Sequence, residues 1–281
     1  SGAVPSMHGN MSTNGLYAEP RASMDLYMSV DDAGGAVWNS RVGTYFANRN
    51  GTPNVTVETP LYPFGGFAGI GYRNSMLTTD TDNYVLPADP SHDLTASSVT
   101  SYDVTFMTHD FVDDEIILCN GSALDYNFYI AAISILGNPY IELRVRCATG
   151  DAVIQSPCER SAWYKILMVY QGASNSLSLA INGKLVSLSN GVGSPNVGGA
   201  FGLGIGTGPL GSSAEKVRIL EVIRYQENML LGSEWFNRCT HFFGLKTKSN
   251  ELRITKHIDT EEILRSSRKH RPTNIKVERT L

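Results

Sequence analysis

Nowhere in the 281-residue sequence do about 18 apolar residues run together, so no segment has the length and hydropathy of a membrane-crossing helix. Residues 1–5 also lack the basic start and apolar stretch of a secretory signal. Cysteine is scarce: Cys119, Cys147, Cys158 and Cys239 are the whole set, and no two of them stand as C-x-x-C. That spacing excludes a zinc ribbon and a thioredoxin-like redox motif. Buried free thiols are the simplest expectation, although Cys147 and Cys158 flank a short polar link and would suit a bridge between neighbouring strands in an oxidising compartment. The histidines, His8, His92, His109, His241, His257 and His270, include no H-x-x-x-H pair, which removes the commonest helical metal motif. The stretch GLGIGTGPLG (residues 202–211) lacks the G-K-[ST] ending of a phosphate-binding loop. Ser91, His92 and Asp93 adjoin in sequence, which is no evidence of a catalytic triad, because a fold collects triad members from separate segments.

Helical periodicity is nearly missing as well. What replaces it is period-two alternation, in segments at residues 24–30, 102–108, 115–119, 126–135, 140–147, 161–188, 200–206 and 216–225. In residues 140–147, Ile141, Leu143 and Val145 point one way while Glu142, Arg144 and Arg146 point the other, as in a sheet with one wet face. Asn182 and Gly183 supply the positive φ values of a tight hairpin turn between two such strands. With 42% hydrophobic residues, 27 glycines and 12 prolines, the chain has a core to bury and many turns to make. The pattern predicts an all-β, antiparallel two-sheet sandwich over residues 24–225, with Trp163 in its core. One short C-terminal helix is expected over residues 234–243, capped by Ser233 and stopped by Gly244, and a second over residues 259–268.

Within that frame, the order YVLPADPSHDLTASSVTSYDVTFMT (84–108), AWYKILMVYQGASNSLSLAINGKLV (162–186), FGLGIG (201–206) and KVRILEVIRYQENMLLGSEWFNRCTHFFGLK (216–246) resembles the laminin-G-like, concanavalin A-like lectin/glucanase jelly rolls. The resemblance covers roughly residues 83–246. Its firmest part couples the strand from Trp163 to Tyr170 with the Asn182-Gly183-Lys184 hairpin and with Glu221-Val222-Ile223 leading into the helix. It implies a jelly-roll sandwich at residues 24–245, between an N-terminal extension (1–23) and a C-terminal arm (246–281).

Lectins, adhesion modules, toxins, viral and phage surface proteins and glycosidases share that fold, so fold alone does not settle function. The glycosidases of the superfamily carry E-x-D-x-x-E or E-x-D-x-E on one strand, which sets acid and nucleophile on one face. No such string occurs here: Asp113, Asp114 and Glu115 do not match it, and Glu215 and Glu221 are too far apart. The Ile141–Arg144 string echoes a lyase strand without its Gln-x-His companion. The reading is therefore non-enzymatic, with a glycosidase or polysaccharide lyase as a remote alternative. No cofactor is expected, although the resemblance leaves calcium open through Asp110, Asp113, Asp114 and Asp125 in loops at one rim. Glu221 breaks its strand's alternation, so either a bulge turns it outward or it is buried against an arginine or backbone donors; it is read as structural.

Charge is unevenly spread. Residues 246–281 hold ten Lys/Arg against five Asp/Glu, net +5, and no Phe, Trp or Tyr, while the other 245 residues hold 13 and 22, net −9. Such a tail suits an arm that meets an acidic subunit face or nucleic acid through Arg265, Arg268, Lys269 and Arg271. Four N-x-[ST] sequons, at Asn10, Asn50, Asn54 and Asn120, are close to what this composition gives by chance. Two functional readings follow. The first is a structural protein of a viral or phage particle, with a lectin-like jelly roll displayed and arms fixed to neighbouring subunits. The second is an extracellular glycan-binding or adhesion module in which exposed aromatics, Trp38, Tyr126 or Tyr129, stack on sugars. They place the chain on a virion or an extracellular surface.

Overall fold

The computed structural model describes residues 21–33, 35–51, 53–58, 73–78, 82–108, 115–121, 125–160, 162–190, 193–196, 202–206 and 217–242. In chain order the described strands are β1 (Met24–Ser29), β2 (Val37–Asn39), β3 (Phe46–Asn50), β4 (Asn54–Glu58), β5 (Arg73–Thr78), β6 (Asn83–Leu86), β7 (Val99–Thr108) and β8 (Glu115–Gly121). Then come β9 (Tyr126–Ile135), β10 (Asn138–Cys147), β11 (Gly150–Pro157), β12 (Trp163–Gln171), β13 (Ser176–Ile181), β14 (Lys184–Asn190), β15 (Leu203–Ile205) and β16 (Val217–Tyr225). Every pairing among them is antiparallel.

The strands form two eight-stranded sheets. The first runs β14-β13-β12-β7-β16-β5-β4 with β1 also on β16, and the second runs β11-β10-β9-β8-β15-β6-β3-β2. Leu26, Val104, Phe106, Ile166 and Met168 of the first sheet meet Phe128, Ile130, Ile141, Leu143 and Val145 of the second in one fully buried core. The chain is thus a two-sheet jelly-roll sandwich, as the alternation predicts. Pro20–Leu61 with Ile70–Met229 makes one compact unit, which carries both sheets; Ser1–Glu19, Tyr62–Gly69 and Leu230–Leu281 make another. In the second unit, helix α1 (Glu234–Phe242) starts after Ser233, whose carbonyl accepts from Asn237 N. Trp235 and Cys239, one turn apart, are its buried face. Residues 259–268, expected as a second helix, lie outside the described residues.

Trp163 needs a correction. On β12 it is Tyr164, Ile166, Met168 and Tyr170 that enter the inter-sheet core, so Trp163 is buried on the opposite face with Lys165 and Leu167. A bulky residue at the strand's start reads as core by size, yet the pleat assigns faces by parity.

The predicted hairpin is present: Asn182 (φ 50°) and Gly183 (φ 83°) turn β13 into β14, and Asn182 Oδ1 accepts from Lys165 N at 2.8 Å. The β9–β10 turn has the same left-handed geometry but is built on Leu136 (φ 52°) and Gly137 (φ 81°), with Leu136 98% exposed. A leucine there is strained and buries nothing, so Leu136→Asn is expected to stabilise the fold by about 1 kcal/mol. Urea unfolding with an unchanged slope checks this, and a lower midpoint would contradict it.

None of the four cysteines is in a disulfide. Cys147 pairs with Gly150 at one end of the β10–β11 hairpin, whereas Cys158 N bonds Pro139 O at the other. The seven intervening rungs separate them by roughly 25 Å, far beyond disulfide reach. The bridge that their closeness in sequence suggested is therefore ruled out by the strand between them.

Candidate functional site

The outer side of β9, β10 and β11, away from the inter-sheet core, carries a connected set of polar and aromatic side chains. On β10 the predicted alternation holds, with Ile141, Leu143 and Val145 inside and Glu142, Arg144 and Arg146 outside. Antiparallel register sets Arg144 beside Tyr129 of β9 and Val153 of β11, and sets Glu142 beside Gln155.

Tyr126 and Tyr129 are three residues apart, which on a regular strand would send them to opposite faces. They share a face because β9 bulges: Asn120 pairs with Phe128 but Gly121 with Tyr126, so Asn127 is the extra residue. The buried amide of Asn127 holds the bulge, accepting from Leu94 N (2.7 Å) and donating to the carbonyls of Leu94 and Asn196 (both 3.1 Å). The two rings then lie 5.1 Å apart.

Each ring is fixed twice. Tyr126 Oη donates to Asp151 Oδ2 at 2.8 Å, and the Arg146 guanidinium lies 5.3 Å over its ring. Tyr129 Oη donates to Glu142 Oε1 at 2.7 Å, and the Arg144 guanidinium lies 5.7 Å over its ring. Arg144 ties the two halves together, its Nε donating to Glu142 Oε1 (2.9 Å) and its Nη1 to Asp151 Oδ2 (3.1 Å). Gln155 Nε2 donates to Glu142 Oε2 at 2.6 Å. An apolar flank of Ile116, Ala131 and Ile133, with Ile135 and Tyr140, adjoins the polar set.

Burial, then the bond to Asp151, pushes the Tyr126 phenol up to about 12. Burial and the bond to Glu142 push Tyr129 the same way. Burial alone would raise Glu142, but donors from Gln155, Arg144 and Tyr129 outweigh it and hold the carboxyl below its ordinary value. At neutral pH Tyr126 and Tyr129 are thus protonated phenols and Glu142 an ionised carboxylate, held in fixed positions.

The other predicted residues fall elsewhere. Trp38 is a correction: it is fully buried, its Nε1 donating to Ser29 O at 2.9 Å, so it offers no exposed ring. Tyr129 is also more buried than expected, only 2% exposed beneath Arg144, which leaves Tyr126 as the more open ring. Of the proposed calcium ligands, Asp110, Asp113 and Asp114 lie outside the described residues. Asp125 accepts from Asn196 Nδ2 at 3.2 Å and lies 4.0 Å from Arg146 Nη1. Among the described residues no group of three or more His, Cys, Asp or Glu is placed to hold a metal ion. Arg265, Arg268, Lys269 and Arg271 also lie outside the described residues, as do the sequons' Asn10 and the side chain of Asn54. Asn120 is buried and donates to Asp93.

Ser91, His92 and Asp93 diverge, as their adjacency suggested. Ser91 Oγ meets Tyr45 Oη, His92 Nδ1 meets Arg224 Nη1, and Asp93 accepts from Asn120. Glu221 meets each of its two alternatives only in part. A register shift makes Leu220 the extra residue of β16 and turns Glu221 away from Ile219. Glu221 is nonetheless buried, and its partner is Lys165 rather than an arginine: Lys165 Nζ lies 3.0 Å from Glu221 Oε1 and 2.7 Å from Asp103 Oδ1, with Tyr27 Oη donating to Glu221 Oε2 at 3.2 Å.

No family model matches the chain, and no curated protein does. Solved structures do. The binding domain of Paraclostridial Mosquitocidal Protein 1 is 9% identical with a TM-score of 0.59, over 81% of this chain and 56% of that one. The botulinum neurotoxin type G receptor-binding domain is 12% identical with a TM-score of 0.54, over 79% and 54%. Trypanosoma rangeli sialidase in complex with the inhibitor DANA is 12% identical with a TM-score of 0.52, over 79% and 33%. The likeness is one of fold. The matched region spans about half of the toxin domains' length and a third of the sialidase's.

Proposed function

We propose that this protein is a non-enzymatic recognition module that binds glycans on the outer face of its second sheet, at Tyr126, Tyr129, Glu142, Arg144, Arg146, Asp151 and Gln155. The observation that carries the reading is the fixing of both tyrosines by a carboxylate and a guanidinium on a half-exposed face. Side chains already held in place lose little freedom on binding. The exposed ends of Arg144, Arg146 and Asp151 present donors and acceptors that sugar hydroxyls match, and the more open ring of Tyr126 offers a surface for the sugar's C–H face. Glu142 is poorly suited to proton transfer, because donors fill both of its oxygens and hold it ionised. The fold neighbours, a receptor-binding domain, a toxin binding domain and a sialidase, are consistent with a cell-surface ligand, and the module works at an extracellular or virion surface.

Calorimetric titration with oligosaccharides identified on a glycan array tests this. Tyr126→Ala is expected to weaken binding tenfold or more, about 1.4 kcal/mol, without shifting the melting temperature. Undiminished affinity in both Tyr126→Ala and Arg146→Ala would sink the assignment. The charge asymmetry, −9 against +5 in residues 246–281, favours a second reading in which the module is carried on a viral or phage particle, its basic arm laid on a neighbouring subunit or on nucleic acid.

A further inference from the structure

The second sheet ends on β11 and the first on β14, each leaving an edge. An edge strand presents a row of unpaired N–H and C=O groups, and proteins blunt such rows with short strands, bulges or lysines. The opposite end of the second sheet, β2, has three residues. β14 begins on Lys184, and its pairing with β13 carries a register shift between Leu179 and Ala180. None of these protections is found on β11. It is eight residues long, keeps unbroken register with β10 from Tyr140↔Pro157 to Cys147↔Gly150, contains no lysine, and has its proline only at the last position. Its free side makes no hydrogen bond to any described residue, and Val153 at its middle is 40% exposed.

We propose that β11 is the pairing edge of a two-fold dimer, adding β11 of a second copy antiparallel with Val153 on the dyad. The sequence of the strand selects both the partner and the register. With Val153 on the axis, residues 150–156 all pair, Val153 meets Val153 of the second copy, and Asp151 meets the Gln155 amide of the second copy. Centring on Asp151, the strand's one charge, would oppose two carboxylates. Centring on Ile154 or Gln155 would put Pro157, which has no N–H, into the ladder. The dimer makes one continuous sixteen-stranded sheet from the two eight-stranded ones. It brings the two outer faces side by side, with the β10 strands three spacings or roughly 14 Å apart. A multivalent ligand would then engage both copies, although the pairing itself requires no ligand.

The full chain tests this by sedimentation and cross-linking. Val153→Cys is expected to form an intermolecular disulfide under mild oxidation, mapped to residue 153 by mass spectrometry, because directly opposed Cβ atoms lie about 4.5–5.5 Å apart. Leu185→Cys, on β14 and somewhat more exposed, is not. Val153→Lys, which sets two like charges on the axis, should raise the dimer dissociation constant about tenfold or more while leaving the melting temperature unchanged. A wild-type chain that sediments as a monomer at every concentration overturns the proposal. So does a dimer indifferent to Val153→Lys, or one that cross-links as well through residue 185 as through 153.

Discussion

Truncation of Lys165 to alanine should lower the unfolding free energy by about 3–5 kcal/mol, among the largest effects of any single substitution in the sandwich. Lys165 is 1% exposed and its ammonium sits between two buried carboxylates, Asp103 at 2.7 Å and Glu221 at 3.0 Å. Removing it takes the Lys165 ammonium from between Asp103 and Glu221, while the desolvation cost of both carboxylates stays in place. Thr105 Oγ1, which accepts from Lys165 at 3.1 Å and donates to Glu221 at 3.3 Å, loses one side of its chain as well. Pairing Lys165→Met with Asp103→Asn and Glu221→Gln should recover most of the loss, since removing all three charges is far cheaper than removing the ammonium alone. Denaturant unfolding of the single and triple variants distinguishes the cases. Equal stability of Lys165→Ala and wild type would show that the cluster is solvated rather than buried.

The second large effect is acid sensitivity at His92. Burial first, and then the neighbouring Arg224, push this imidazole down to about 4, against an ordinary 6.5. Its Nδ1 lies 2.6 Å from Arg224 Nη1, so the neutral ring accepts there and carries its proton on Nε2. Arg224 is itself clamped by Asp25 at 2.8 and 2.9 Å and lies 5.1 Å over the Tyr45 ring. Because the folded value lies below the unfolded one, the unfolded chain binds more protons between pH 4 and 6.5. Stability is therefore complete above about 6.5 and lost as pH falls toward 4, by roughly 3 kcal/mol in all. His92→Gln, whose amide oxygen still accepts from Arg224, should flatten that slope. A variant as acid-sensitive as wild type would place the titration elsewhere.

The sheets were legible wherever alternation was long. Residues 126–135 and 140–147 gave β9 and β10 nearly to the residue, and Asn182-Gly183 gave the turn between β13 and β14. The short strands β2 and β3 leave no period to read, which is why Trp38 reads as an exposed aromatic when β2 buries it. β11 reads as a polar link because Asp151, Gln155 and Ser156 blur its pattern, and the pattern hides two residues of the candidate site, Asp151 and Gln155. Glu142, Arg144 and Arg146 were visible as the wet face of β10. What sequence spacing could not supply was the bulge at Asn127, which alone puts Tyr126 and Tyr129 on one face. Bulges are set by buried amides such as Asn127 bonding to distant backbone, and that contact has no local signature.

The recognition face is tested most directly by mapping amide and side-chain NMR shift changes while an array-identified oligosaccharide is titrated into the protein. The account predicts that the changes cluster on Tyr126, Tyr129, Arg144, Arg146, Asp151 and Gln155 and vanish in Tyr126→Ala. Changes centred instead on the cluster of Tyr45, His92 and Arg224, with the β9–β11 face unmoved, would contradict it.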